Sequence, residues 1–89
     1  EISYVESNDS EVWIHTAGGL AYRTKTRISQ WETQLDSRFL RIHRSFIVNT
    51  ARIDRCCPAH VKIGGMTIEI SRKYREAARR RLTEQAANA

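Results

Sequence analysis

Cys56-Cys57-Pro58-Ala59-His60 brings two thiols and an imidazole together, and metal ligation is the first chemistry such a stretch could do. Zinc sites usually separate their cysteines by roughly two to four residues so that both sulfurs reach one ion, and adjacent cysteines miss that spacing. The stretch therefore reads as a turn at Pro58 flanked by small, semi-buried thiols, with no metal or other cofactor expected. Neighbouring cysteines strain the peptide between them if they bridge, and two thiols make a poor disulfide framework, so a reducing, cytoplasmic compartment is expected. His15, His43 and His60 fall on separate elements, none beside a nucleophile at a recognisable spacing. Gly18-Gly19 and Gly64-Gly65 each belong to a hairpin turn rather than a phosphate-cradling loop. No enzyme is expected.

Cations are the other chemistry on offer, and they are unevenly placed. Residues 1–37 set six carboxylates against Arg23, Lys25 and Arg27, a balance of −3. Residues 38–81 set twelve cations against Asp54, Glu69 and Glu76, a balance of +9, and Glu84 brings the chain to +5. An anionic partner is implied, bound mainly by the second half. The alternative is a set of solvated surface arginines.

The elements that must position these groups fit one small domain. The chain has 89 residues, 40% hydrophobic and 28% charged, which suits a single compact core. No apolar run approaches the ~20 residues of a membrane span, so no membrane contact is expected. The chain opens on Glu1-Ile2-Ser3-Tyr4, unlike a signal peptide, and reads as a fragment of something longer. Ile2–Glu6 alternates as a strand, and residues 7–10 (Ser-Asn-Asp-Ser) form a turn cluster. Residues 11–16 resume a strand, Ala17-Gly18-Gly19 reverses the chain, and Leu20–Thr24 returns. Ile28, Trp31 and Leu35 recur at helical spacing, with Thr26 as the expected N-cap. Phe39–Asn49 turns strand-like in its second half, and Lys62–Ile68 carries a strong hairpin signal around Gly64-Gly65. From Ser71 the composition favours helix, with Tyr74, Ala78 and Leu82 as a thin apolar stripe.

Phe39-Leu40-Arg41-Ile42-His43-Arg44-Ser45-Phe46-Ile47-Val48-Asn49 strongly resembles the signature of the LytTR family, the DNA-binding output domain of many bacterial response regulators. Residues 2–7 look like that family's opening strand, residues 28–35 like its short helix, and Ile68–Tyr74 like its closing strand and turn. The resemblance covers roughly residues 2–75, leaving 76–89 as a C-terminal helical extension.

What the resemblance implies is a mainly β, elongated β-β-β fold of three small antiparallel sheets, with a short central helix and a C-terminal helix. It also implies loops and strand ends that enter successive major grooves of double-stranded DNA, commonly at direct repeats, in place of a recognition helix. Carried over residue by residue, the base-reading candidates are Asn8-Asp9-Ser10, Arg44, and Arg72 with Lys73. Arginine can make a bidentate contact to guanine and asparagine to adenine, whereas Asp9 suits only a cytosine amino group. Arg41, His43, Lys62 and Ser71 are the phosphate candidates. Other roles stay open for some of these. Arg41 could pair with a carboxylate such as Glu6 or Asp36, and His43 could be a satisfied half-buried histidine. Arg79–Arg81 read as a solvated helix end, and Trp13, Trp31, Phe39 and Phe46 as core.

Two departures from the family carry expectations of their own. Family cores begin with strands upstream of Ile2, so a missing strand could leave an unpaired sheet edge. The C-terminal stripe could pack back on the core or meet a second copy. The partners implied are duplex DNA, an upstream sensory or receiver domain, and a possible homodimer on DNA. Competing readings are a single-stranded RNA or DNA module, which needs Trp13 and Tyr22 exposed together, and a protein-interaction domain using the last helix.

Overall fold

The computed structural model describes residues 2–8 and 11–87, with side chains described as far as Thr83. Strand β1 (Ile2–Asn8) pairs antiparallel with β2 (Glu11–Thr16), which pairs with β3 (Ala21–Thr24). Helix α1 (Ile28–Gln34) follows, then β4 (Phe39–His43) and β5 (Phe46–Asn49). A 3-10 turn at Thr50–Arg52 leads to β6 (Arg55–Cys56), β7 (His60–Ile63) and β8 (Met66–Glu69). A second 3-10 turn, Arg72–Tyr74, runs into helix α2 (Arg75–Ala87).

Two sheets form where three were expected, because β1 is shared. Its other edge pairs with β5, Tyr4 opposite Val48 and Glu6 opposite Phe46, so both halves fuse into one five-stranded sheet of order β3-β2-β1-β5-β4. The second sheet is the three-stranded meander β6-β7-β8. The opening strand is thus interior rather than an unpaired edge. Among the described residues, β3 is the open side, with Ala21, Tyr22 and Arg23 exposed. On the β4 side, the Ser71 amide donates to the Ile42 carbonyl.

Strand alternation sends the two faces of the large sheet to separate cores. Val5, Val12 and Ile47 face α1 and bury Ile28, with Trp31, Leu35 and Phe39 packed around them. Tyr4, Leu40 and Val48 face the small sheet, where Val61, Ile63, Ile68 and Ile70 complete the larger core. Ala78 is fully buried in that core and Tyr74 and Leu82 pack against it, so the C-terminal stripe folds back on its own domain. Trp31, Phe39 and Phe46 are partly buried against these cores, as expected. No helix among the described residues is long and apolar enough to cross a membrane.

Local chemistry accounts for the joints. Ile63 pairs with Met66 across Gly64-Gly65, whose φ values of +57° and +82° make the type I′ turn that suits twisted strands. Asp54 steadies this turn by accepting the Gly64 amide at 2.9 Å. The Cys57 amide donates to the His60 carbonyl at 2.9 Å, closing the expected turn at Pro58. Helix α1 starts one residue later than expected. Arg27, not Thr26, is its N-cap, and no side chain caps it. The Thr26 amide instead donates to the Thr24 hydroxyl at 3.2 Å, which keeps Thr26 in the turn before the helix.

Candidate nucleic-acid interface

Three segments far apart in sequence meet at one end of the five-stranded sheet. Phe46 lies opposite Glu6, and beyond that pair the Ser7 amide donates to the Ser45 carbonyl at 2.8 Å. This places the end of β1 beside the Arg44-Ser45 turn that joins β4 to β5. On the other side of that turn, the Ser71 amide donates to the Ile42 carbonyl at 2.9 Å. Asn8, Arg44 and the Ser71-Arg72-Lys73 segment therefore share one edge, and Asn8, Arg44, Arg72 and Lys73 are all exposed. Asp9 and Ser10 lie outside the described residues.

The Arg44 turn is built from its neighbours. The register slips between Arg41 and His43, a bulge of the kind that re-aims a strand end. The Arg41 guanidinium then fills the turn from beneath. Its Nε donates to the His43 carbonyl at 3.2 Å and one Nη to the Arg44 carbonyl at 2.6 Å. The other Nη meets Glu32 of α1 at 2.9 Å. Arg41 does pair with a carboxylate, but with Glu32 rather than Glu6 or Asp36. Its side chain is only 14% exposed and also lies 5.9 Å from the Tyr74 ring centre, against which Lys73 Nζ sits at 5.6 Å. Arg44 itself points outward, and among the described residues no hydrogen bond or ion pair holds its guanidinium. One arginine is committed to the scaffold so that the next is free.

His43 is half-buried, with its ring edge-on to Phe46 at 5.6 Å. The Ser45 amide donates to His43 Nδ1 at 3.1 Å, so in the neutral ring the proton sits on Nε2. The turn thus fixes a donor on the far side of the ring, chemistry suited to a phosphate oxygen. Ser71 precedes the 3-10 turn without a side-chain capping bond. Lys62 stands apart. It is exposed on the outer face of the small sheet, paired between Arg55 and Thr67.

Lys25 and Arg27 are the cations that sequence reasoning missed. Both are exposed and line a hollow of about 530 Å³ with Ser7, Ser29 and Arg41. In sequence they belong to the acidic half, but the return of β3 brings them beside the end of β1. The alternation Thr24-Lys25-Thr26-Arg27, hydroxyl and cation by turns just before a helix, was the available signal.

Of the last three arginines, Arg79 and Arg80 are exposed, and Arg80 pairs with Glu76 one turn away at 3.5 Å. Arg81 donates to the Ser37 carbonyl, tying the helix to the loop before β4. The single-strand reading fails on face. Tyr22 opposes Ile14 and Arg23 opposes Trp13, so Trp13 and Tyr22 lie on opposite faces of their hairpin and offer no shared stacking surface.

The comparisons with known proteins agree with the fold. The family model described as the LytTr DNA-binding domain matches residues 1–83. Among solved structures, the LytTr DNA-binding domain of a protein described as a methyl-accepting/DNA response regulator from Bacillus cereus is similar. It aligns with a TM-score of 0.84 and 26% identity, over 91% of this chain and 80% of that one. Comparison with curated proteins gives no match. The chain belongs to the LytTR family of DNA-binding domains.

Proposed function

We propose that this domain binds double-stranded DNA sequence-specifically, as the cytoplasmic output domain of a bacterial transcription regulator. The observation that carries this reading is the meeting of Asn8, Arg44 and Arg72-Lys73 at one sheet end, joined by the Ser7–Ser45 and Ser71–Ile42 backbone bonds. Loops at the two flanks of a single edge are suited to successive major grooves on one face of a duplex. Arg44 is the principal reader, since an outward guanidinium on a braced turn can address guanine O6 and N7 together. Asn8, Arg72 and Lys73 read beside it, and Asp9 and Ser10, which follow Asn8 in the sequence, are assigned the same role. His43, Ser71, Lys25 and Arg27 hold phosphates and set register, while Lys62 adds a more distant one.

Two copies on direct repeats, each read by one domain, fit a site that is complete within one chain. Because the Bacillus cereus neighbour is described as part of a response regulator, an upstream receiver or sensory domain is proposed here as well. Fluorescence anisotropy on a selected duplex tests the assignment. Replacing Arg44 with Ala is expected to cost about 1–3 kcal/mol and to relax one base position. Replacing Lys62 with Ala is expected to weaken all duplexes alike and lower the salt slope by about one. An unchanged sequence preference in the Arg44 variant would remove it from the reading set.

A further inference from the structure

A cavity of about 380 Å³ between α2 and the Pro58 turn plays no part in the interface described above. Its walls are Cys56, Cys57, Pro58, Ile70 and Leu82, with Arg79 and Thr83 at the exposed side. That size and makeup, an apolar hollow with one or two polar groups, is typical of small-molecule sites, which run to roughly 300–1,000 Å³. Arg79, Leu82 and Thr83 share one face of α2 at i, i+3 and i+4, so the charge, the apolar wall and the hydroxyl come from a single helix surface.

The three consecutive arginines of α2 differ in what they do. Arg80 pairs with Glu76, and Arg81 bonds to the Ser37 carbonyl. Arg79 turns to the cavity and is held by no hydrogen bond or ion pair among the described residues. Among the described residues that line the cavity there is no carboxylate to neutralise it. Cys56 does not do so either. Burial first and the neighbouring Cys57 second push the Cys56 thiol above its ordinary range, so Cys56 stays uncharged at neutral pH.

We propose that this cavity binds a small amphipathic carboxylic acid, with its apolar body against Pro58, Ile70 and Leu82 and its carboxylate on Arg79. A guanidinium presents two parallel donors to a carboxylate, and Thr83 offers a hydroxyl beside it. Charge decides the class of ligand: an apolar wall alone would accept an alcohol or an amine equally well. The position also matters for the domain. Ile70 forms one wall, its amide donates to the Ala59 carbonyl at 2.8 Å, and Arg72 is two residues further along the chain.

Sodium octanoate, octanol and octylammonium titrated into the isotopically labelled chain, with amide shifts followed by NMR, test this directly. Octanoate is expected to give saturable shifts confined to Cys56, Cys57, Ile70, Leu82 and Thr83. It should bind more tightly than octanol, and octylammonium should bind least. Arg79→Gln, at an exposed position, is expected to weaken octanoate about tenfold and to leave octanol unchanged. Shifts that do not saturate, equal binding of all three probes, or an unaltered octanoate affinity in Arg79→Gln would overturn the proposal. None of these readouts depends on DNA.

Discussion

The Arg41 guanidinium donates to the main-chain carbonyl of Arg44 at 2.6 Å while its other end pairs with Glu32 at 2.9 Å. A helix on one face of the sheet therefore braces the turn that displays Arg44. The two arginines should separate cleanly in experiment. Arg41→Ala removes charge-assisted bonds from a mostly buried side chain and is expected to destabilise the domain by about 1–3 kcal/mol, weakening DNA binding through the turn. Thermal unfolding checks this, since each kcal/mol shifts Tm by roughly 4–8 °C in a domain of this size. Arg41→Lys keeps the charge but not the planar fork, and should recover little. Arg44→Ala should leave Tm nearly unchanged. A stable Arg41→Ala variant would show that the turn needs no brace.

Asn49 is fully buried, donates from Nδ2 to the Ile2 carbonyl at 2.8 Å and accepts the Ala51 amide at 3.0 Å. It ties the end of β5 to the start of β1, at the opposite end of that strand pair from Arg44. Replacing it with Ala leaves both backbone groups without their partner, an expected loss of about 2–4 kcal/mol. Chemical denaturation measures this, and a loss below about 0.5 kcal/mol, the usual range of a surface change, would contradict it.

Gly65 has open space around it, so its role is conformational alone. At φ +82° any L side chain is strained, and Gly65→Ala is expected to cost about 1–2 kcal/mol, measured by the same denaturation. DNA affinity should be unchanged in the folded variant, since the hairpin tip lies beside Ser3 and Tyr4, at the other end of β1 from Asn8.

Asp36 is held below the ordinary aspartate range, first by the side-chain hydrogen bonds from Arg38 and then by the Arg38 amide. A depressed carboxyl contributes stability above its unfolded pKa and loses it as pH falls through the folded value. Carbon-detected NMR titration of Asp36 should give a midpoint below that of an unstructured aspartate. Arg38→Gln should move it upward, and added salt should shrink the difference, because the pair is solvent-exposed. An Asp36 midpoint at the ordinary value in low salt would contradict the pairing.

Local signals carried much of this fold. Gly64-Gly65 between β-formers, the 28–35 helical period and the Tyr74-Ala78-Leu82 stripe each report a short-range preference, and each is realised in the structure. What periodicity could not carry is partnership between distant strands. That β1 joins β2 to β5, merging two expected sheets, depends on the whole strand order and not on any one segment. The same limit explains Arg41. The first half of Phe39–Asn49 carries no clean period, and choosing Glu32 over Glu6 or Asp36 required the position of α1. Lys25 and Arg27 were hidden by net charge, which sums along the chain and ignores where β3 returns.

Selection of bound duplexes from a random pool, run in parallel with the natural chain and with Arg44→Ala, tests the central claim most directly. The natural chain is expected to recover a defined motif, and the variant the same motif relaxed at one position. Identical motifs from both, or no enriched sequence from the natural chain, would contradict the claim that this sheet end reads DNA.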